Sequence, residues 1–346
     1  MSASKPHQVQ DPDSLSLAMT LRQMFTGYWV SQSIYAVAKL GVADLLRDGP
    51  QDVEQLARTL RVDQGALYRM MRALASHGLF AEDHDHRFRL TPLGGLLQTD
   101  VPGSMRAMAI WNGELPYRAW GSVMHTMETG QPALKHALGM RLFDYLSQHP
   151  ESRRVFDEAM TGLSMQVSQA VVSAYDFSGV RRIVDVGGGE GTLVASILAA
   201  HDQMEGILFD LPPAVENARK QIERAGLASR CEVAGGDFFE QVPAGADCYI
   251  LASVIHDWDD EHSLRILKQC RRSMDHGKRL LLVECVIPDS SEPLFSKLLD
   301  LQMLVVTGGR ERTETQFRDL LNAAEFRVSR VIQTTAPECV IEGVAI

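Results

Sequence analysis

At 346 residues the chain exceeds one typical core, and its hydrophobic content of 45% is that of an ordinary globular protein. A formal net charge of −10 disfavours nucleic acid and gives no signal for a membrane surface, and no apolar run reaches the length of a membrane span. The five cysteines (Cys231, Cys248, Cys270, Cys285 and Cys339) form no CxxC pair, so they read as reduced core thiols of a cytoplasmic protein and not as a disulfide framework or zinc site.

The opening, residues 1–14, is polar, lacks the build of a signal peptide and is expected to be disordered. Residues 15–46 read as helix throughout. Leu17, Met24, Phe25, Tyr28, Trp29 and Ile34 are spread over so many faces that the segment must be buried on more than one side, which in a terminal segment points to a partner chain. Asp52 and Asp63 are placed to cap two amphipathic helices, Asp52–Leu60 and Asp63–His77. Leu79–Glu82 and Arg87–Leu90 then flank a polar tip as a hairpin. Helix, turn, helix, hairpin is a winged-helix pattern. Its reading helix carries Leu67, Met70, Met71 and Leu74 beside Arg69 and Arg72 and lacks a basic footprint, so a structural module is expected, with a DNA-binding regulator as the alternative. The tip Asp83–His86 offers no enclosed first shell, and no metal is expected.

Met105–Trp120 and Met124–Met127 are rich in Met and Trp, which serve as core or as walls for a flat aromatic ligand. Phe143–Tyr175 reads as one or two helices, with Pro150 opening the second. The expected division is a helical, winged-helix-like domain over 15–104, a helical linker lining a substrate pocket over 105–178, and an α/β domain over 179–346.

From Arg182 onward, strands and helices alternate. Ile183–Val186, Gly206–Asp210, Cys231–Ala234, Cys248–Ser253 and Arg279–Val286 are strands, and Thr192–Ala200, Pro213–Ala225, Asp260–Met274 and Thr313–Ala324 are helices. This predicts a mostly parallel sheet covered on both faces. Arg327–Thr334 and Glu338–Ala345 close it as an antiparallel hairpin.

The first strand runs into Gly187, Gly188, Gly189 and Gly191, a turn that lets a ligand approach the backbone. Asp210 ends the second strand, where a carboxylate accepts hydrogen bonds from both ribose hydroxyls of an adenosine. That suits NAD or S-adenosylmethionine. The turn lacks the third glycine of the dinucleotide spacing, carries no basic group for a pyrophosphate, and is joined by Asp237 in GGDFF, placed to hold an adenine amino group with Phe238 on the ring. These features favour the phosphate-free sulfonium.

His256 follows the fourth strand, with Asp257 and Trp258 after it. An imidazole there is suited to take a proton from a phenol, whose pKa is about 10. Glu284 interrupts an apolar strand, so its carboxylate must be paired or near a strand end. Glu311 arrives on the loop GGRERT. One histidine with two carboxylates from successive strand ends is an orienter-and-base arrangement.

With these residues in view, the chain resembles the S-adenosylmethionine-dependent O-methyltransferases of the caffeate and plant phenolic type, over nearly its full length. VDVGGGEG is similar to that family's cofactor loop, FDLP to its ribose-binding acid, GGDFF to its adenine pocket and HDWDDEH to its catalytic segment, with VECVIP and GGRERTETQF continuing the match. FDYLSQHPESRRVFDEAM resembles the helix that lines the substrate pocket. The resemblance implies a Rossmann-like class I methyltransferase domain with an N-terminal dimerisation domain. It implies His256 as base flanked by Glu284 and Glu311, and a cofactor set of Asp185, Gly187, Gly189, Asp210, Leu211, Gly236, Asp237, Phe238, Phe239, Ser253 and Trp258. Ser253 is a departure, since plant members often carry Lys there. Trp111, Asn112, Phe156, Met160, Asp257, Met303 and Val306 are the expected substrate walls. The expected activity is methylation of a phenolic hydroxyl on an aromatic, polycyclic secondary metabolite by a homodimer without metal, nucleic-acid or membrane partners, releasing S-adenosylhomocysteine. N-methylation of a nitrogen heterocycle such as a phenazine is the alternative on the same fold.

Overall fold

Side-chain caps set the starts of three helices of the N-terminal unit, those opening after Asp52, Asp63 and Thr91. A computed structural model describes residues 12–290 and 295–346. Residues 1–11 of the expected disordered opening lie outside the described residues, and 12–14 already belong to helix α1 (Pro12–Phe25). The long N-terminal helix is broken at Thr26 into α1 and α2 (Gly27–Leu40), and again before α3 (Val42–Leu45), where Gly41 takes a left-handed conformation (φ 72°). After the short β1 (Gln51–Asp52), Asp52 accepts a hydrogen bond from Gln55 N to cap α4 (Val53–Leu60), and Asp63 accepts from Ala66 N to cap α5 (Gln64–Ser76). Strands β2 (Phe80–Glu82) and β3 (Arg87–Leu90) complete the expected hairpin, to which β1 adds a third strand. Helices α6 (Pro92–Gly95) and α7 (Arg106–Gly113) end the unit. Leu17, Leu21, Met24, Phe25, Tyr28 and Trp29 on α1 and α2 are exposed.

The chain divides between Gly113 and Glu114, not at the expected 104/105. Helix α7 packs on α2, and a Cβ on Gly113 would lie 2.1 Å from the Tyr35 ring, so the last residue of α7 is held to the first unit by close approach. The rest of the expected linker, from Glu114 on, belongs to the second unit. Its helices are α8 (Leu115–Trp120), α9 (Val123–Thr129), α10 (Ala133–Leu138), α11 (Leu142–Gln148) and α12 (Pro150–Ala174), where Pro150 sits at the first turn. Buried Val167 and Val171 of α12 join the core that α13 builds on the sheet.

The rest is the expected alternation: β4 (Arg182–Val186), α13 (Thr192–Ala200), β5 (Glu205–Asp210), α14 (Pro212–Arg224), β6 (Cys231–Gly235), β7 (Cys248–Ala252), α15 (Asp260–Arg272) and β8 (Arg279–Ile287). Helix α16 (Phe295–Val306), to which the sequence reading assigns no element, comes next. Strand β9 (Arg312–Thr313), helix α17 (Glu314–Ala323) and the hairpin β10 (Phe326–Gln333) and β11 (Glu338–Ala345) finish the chain. Strand order is β10-β11-β8-β7-β4-β5-β6, with β9 on β8. The pairs from β8 to β6 are parallel and the β11 pairs antiparallel. Two buried clusters cover the sheet. One runs through Ile183, Leu198, Leu208 and Ile222, the other through Val184, Tyr249, Leu267 and Phe317. The order reverses between β4 and β7, and that switch point is where an open α/β sheet presents a crevice. No helix among the described residues is long and apolar enough to cross a membrane.

Candidate active site

Strand β4 stops at the glycines. Gly187 (φ 73°) and Gly189 (φ 56°) turn the backbone through left-handed conformations and aim the chain into α13. Across the turn, Asp210 at the end of β5 accepts hydrogen bonds from Gly189 N (2.8 Å) and Leu211 N (2.6 Å). Burial raises its pKa, against the pull of those two N–H groups. Asp185, buried on β4, is pushed up to about 7 by burial, and its Oδ2 has no hydrogen-bond partner. After β6, Gly236 and Asp237 lead into Phe238 and Phe239. Asp237 takes the plain loop-cap role, accepting from Phe239 N at 2.8 Å. The rings of Phe238 and Phe239 both lie edge-to-face to Trp258, at centroid distances of 6.2 and 4.7 Å. Ser253 bends the chain after β7 at φ 53° and hydrogen-bonds through its N–H to Val283 O. The expected cofactor residues thus gather on neighbouring strand ends. An orphaned buried carboxyl oxygen, a second buried acid and an aromatic wall suit a cationic adenosine compound and oppose a pyrophosphate.

The reacting group sits on one turn of 3-10 helix, Ile255–Asp257, after β7. Glu284 on β8 builds that turn: its Oε1 accepts from Val254 N (3.1 Å) and Ile255 N (2.7 Å). Its other oxygen, Oε2, lies 3.2 Å from His256 Nδ1, and Glu311 Oε1 lies 3.0 Å from the same nitrogen. Both carboxylate side chains are 0% exposed, while the imidazole is 14% exposed. Burial alone would lower the His256 pKa, but the facing charges of Glu284, Glu311 and Asp257 outweigh it and raise the value to about 10. Glu284 is itself raised to about 7, by burial above all and by the charge of Glu311.

The frame around this turn comes from residues that sequence reasoning did not single out. Arg312, 1% exposed, donates to Ile255 O (3.2 Å), Trp258 O (3.0 Å) and Ser263 Oγ (3.1 Å), and its charge is matched by Asp260 at 2.8 Å. Arg310 N donates to His256 O (2.8 Å), and Glu311 N to Asp300 Oδ1 (2.9 Å) on α16. The signal in the sequence is Arg312 inside GGRERT, directly after Glu311.

The expected substrate walls come from several elements. Phe156 and Met160 lie on α12, Asp257 adjoins His256, Met303 is on α16, and Val306 is packed into the interior. Trp111 and Asn112 belong to α7 of the first unit, where Asn112 donates back to Met108 O (3.0 Å).

Known proteins can now be set beside this geometry. The O-methyltransferase domain matches residues 120–327, and the O-methyltransferase dimerisation domain matches residues 22–100. The chain belongs to the O-methyltransferase family. Phenazine O-methyltransferase PhzM of Lysobacter antibioticus is 45% identical over 95% of this chain and 97% of its own length. Phenazine-1-carboxylate N-methyltransferase of Pseudomonas aeruginosa is 33% identical over 92% and 95%. Among solved structures, the O-methyltransferase NcsB1 from neocarzinostatin biosynthesis, in complex with S-adenosylmethionine and 2-hydroxy-5-methyl naphthoic acid, superposes with a TM-score of 0.80 at 28% identity, covering 91% of this chain and 96% of that one. The methyltransferase fold and helical dimerisation domain implied by the sequence are therefore those of this O-methyltransferase.

Proposed function

We propose that this O-methyltransferase moves a methyl group from S-adenosylmethionine to a phenolic hydroxyl of an aromatic, polycyclic secondary metabolite, with His256 as general base. The observation that carries the reading is the orientation of the imidazole: Nδ1 is turned onto two buried carboxylates, which leaves Nε2 for the acceptor. S-adenosylmethionine, when bound, supplies an electrophilic methyl group on a sulfonium and is released as S-adenosylhomocysteine. Asp210 and Asp237 would hold its adenosine, Gly187 and Gly189 would admit it to the backbone, and Asp185 would offer its unpartnered oxygen to the cationic cofactor. Glu284 fixes the histidine turn through two backbone N–H groups and, with Glu311, stabilises the imidazolium that forms when Nε2 takes the phenolic proton. Exposed apolar side chains on α1 and α2 and the dimerisation-domain match support a homodimer.

A base near 10 is matched to a phenol near 10, so the proton transfer is close to level. The consequence is a pH dependence of definite sign. A raised histidine pKa keeps the neutral, active form scarce until the pH approaches about 10, so kcat/KM should climb by about tenfold per pH unit from roughly pH 6 to pH 9. A profile already flat across roughly pH 6–8 would contradict this ionisation.

The acceptor class is tested by a screen of phenolic and polycyclic compounds with isotopically labelled methyl donor, reading product mass and methyl position. O-methylated phenols are expected. Methylation confined to ring nitrogens would favour the second reading, which the Pseudomonas relative supports.

A further inference from the structure

We propose that Glu338 is a positioning residue of the methyl-transfer site, a third buried carboxylate that acts through Glu311 and His256 and sets the basicity of the imidazole. The proposal rests on the reading of His256 as the base. Strand β8 has β11 on one side and β7 on the other, and β9 pairs with β8 at Val286 and Ile287, beyond the last β7 partner Val283. Glu338 is the register partner of Cys285 on β8, and Arg312 is the partner of Val286, which places Glu311 level with Cys285 from the far side. Glu338 and Cys285 therefore share one row and one face of the sheet, Glu311 is the residue before β9, level with them, and Glu284 is the neighbouring residue of β8, on the opposite face. Glu338 is 6% exposed, and its Oε2 is buried with no hydrogen-bond partner, whereas Glu311 and Glu284 each turn one oxygen onto His256 Nδ1.

A buried carboxyl left partly unsatisfied costs stability and needs a reason to be there. Among the charges acting on Glu338, the imidazolium of His256 favours its ionisation, and Glu311 opposes it. The thiol between them feels Glu338, Glu311, Glu284 and Cys339, and Cys339 in turn feels Glu338 and Glu314. Asp257 faces His256 from the same turn. Arg312 is spent on the carbonyls of that turn and on Asp260. His256 is thus the cation that these carboxylates share. Burial raises Glu338, which matches a group poised to exchange its charge with this cluster. Electrostatic coupling is reciprocal: what His256 does to Glu338, Glu338 does to His256.

The test is made on the full-length protein. Histidine-labelled protein gives the His256 ring signal by NMR, assigned by its loss in His256→Asn, and its titration midpoint is followed in three variants. Glu338→Gln removes the charge at nearly constant shape. Glu338→Met removes it while filling the site with an apolar chain, which keeps a folded, neutral variant in hand if the first is unstable. Both should lower the His256 midpoint by roughly one pH unit, and the acid limb of kcat/KM should move with it. Glu338→Asp, which keeps the charge, should leave the midpoint within about 0.3 unit of the parent. A midpoint that does not move in a folded neutral variant overturns the proposal, as does an equal shift in Glu338→Asp. The magnetic titration needs no turnover, so it judges Glu338 even if His256→Ala retained full activity and the base reading failed.

Discussion

Replacing His256 by Ala is expected to lower kcat by about 10²–10⁴-fold while leaving the dissociation constant of S-adenosylmethionine within a few-fold of the parent. The split follows from where the residues sit. Most of the cofactor set lies at the ends of β4, β5 and β6, with only Ser253 and Trp258 flanking the histidine turn, whereas His256 is held from β8 and from the loop before β9. Some turnover survives because two aligned reactants in a cleft still gain from proximity. The variant also leaves Glu284 and Glu311 without their shared cation. Stability falls as a result, because an unpaired buried carboxylate is costly. Turnover is therefore read together with circular dichroism and with calorimetric titration of the cofactor, so that unfolding is not mistaken for lost chemistry. The result also separates the two acceptor classes. A phenol must shed a proton and a ring nitrogen without hydrogen need not, so parent-like turnover in a folded His256→Ala protein would remove the base assignment and favour the nitrogen acceptor.

The parts of this molecule that were legible in the sequence are those whose reasons are local. Asp52 and Asp63 cap the helices they were expected to cap because an N-cap acts on a backbone N–H three residues on. Thr192–Ala200 is a helix with the expected ends because glycines and a polar loop bound a strongly apolar run. Glu284 announced itself as a carboxylate inside an apolar strand. Helix α16 is hard to read in the sequence because its apolar residues go round the helix: Leu299, Met303 and Leu304 leave the face that carries Phe295, Leu298, Leu301 and Val305, which blurs the helical period. Glu338 escaped because it follows the turn Thr335–Pro337, where a glutamate reads as surface. The frame of the histidine turn escaped for a different reason. Arg312 and Gly309 meet residues some fifty positions upstream, and no window of sequence reports such a contact.

Gly309 shows how much rests on one such contact, and Gly309→Ala is expected to lower kcat by about 10²-fold, with a stability loss of about 1–3 kcal/mol. A Cβ at this position would lie 1.9 Å from His256 O, 2.5 Å from the Asp257 carbonyl carbon and 2.8 Å from Asp257 Cα. All three are backbone atoms, so no rotamer change relieves the clash. The histidine turn cannot give way easily, because Glu284 holds its N–H groups from one side and Arg312 its carbonyls from another. The loop carrying Gly309 must yield. It brings the Arg310 N–H to His256 O and the Glu311 carboxylate to Nδ1, so both contacts lengthen together. Gly309 is not among the glycines with positive φ, and alanine fits its backbone conformation, which leaves the contact as the whole cause. With Glu311 drawn away, His256 loses one of the two carboxylates that raise its pKa, so the acid limb of kcat/KM should fall toward lower pH even as the maximum rate drops. Cofactor affinity, measured by calorimetry, should hold. Parent-like kcat with an unmoved acid limb would show that the loop absorbs a methyl group without disturbing Glu311.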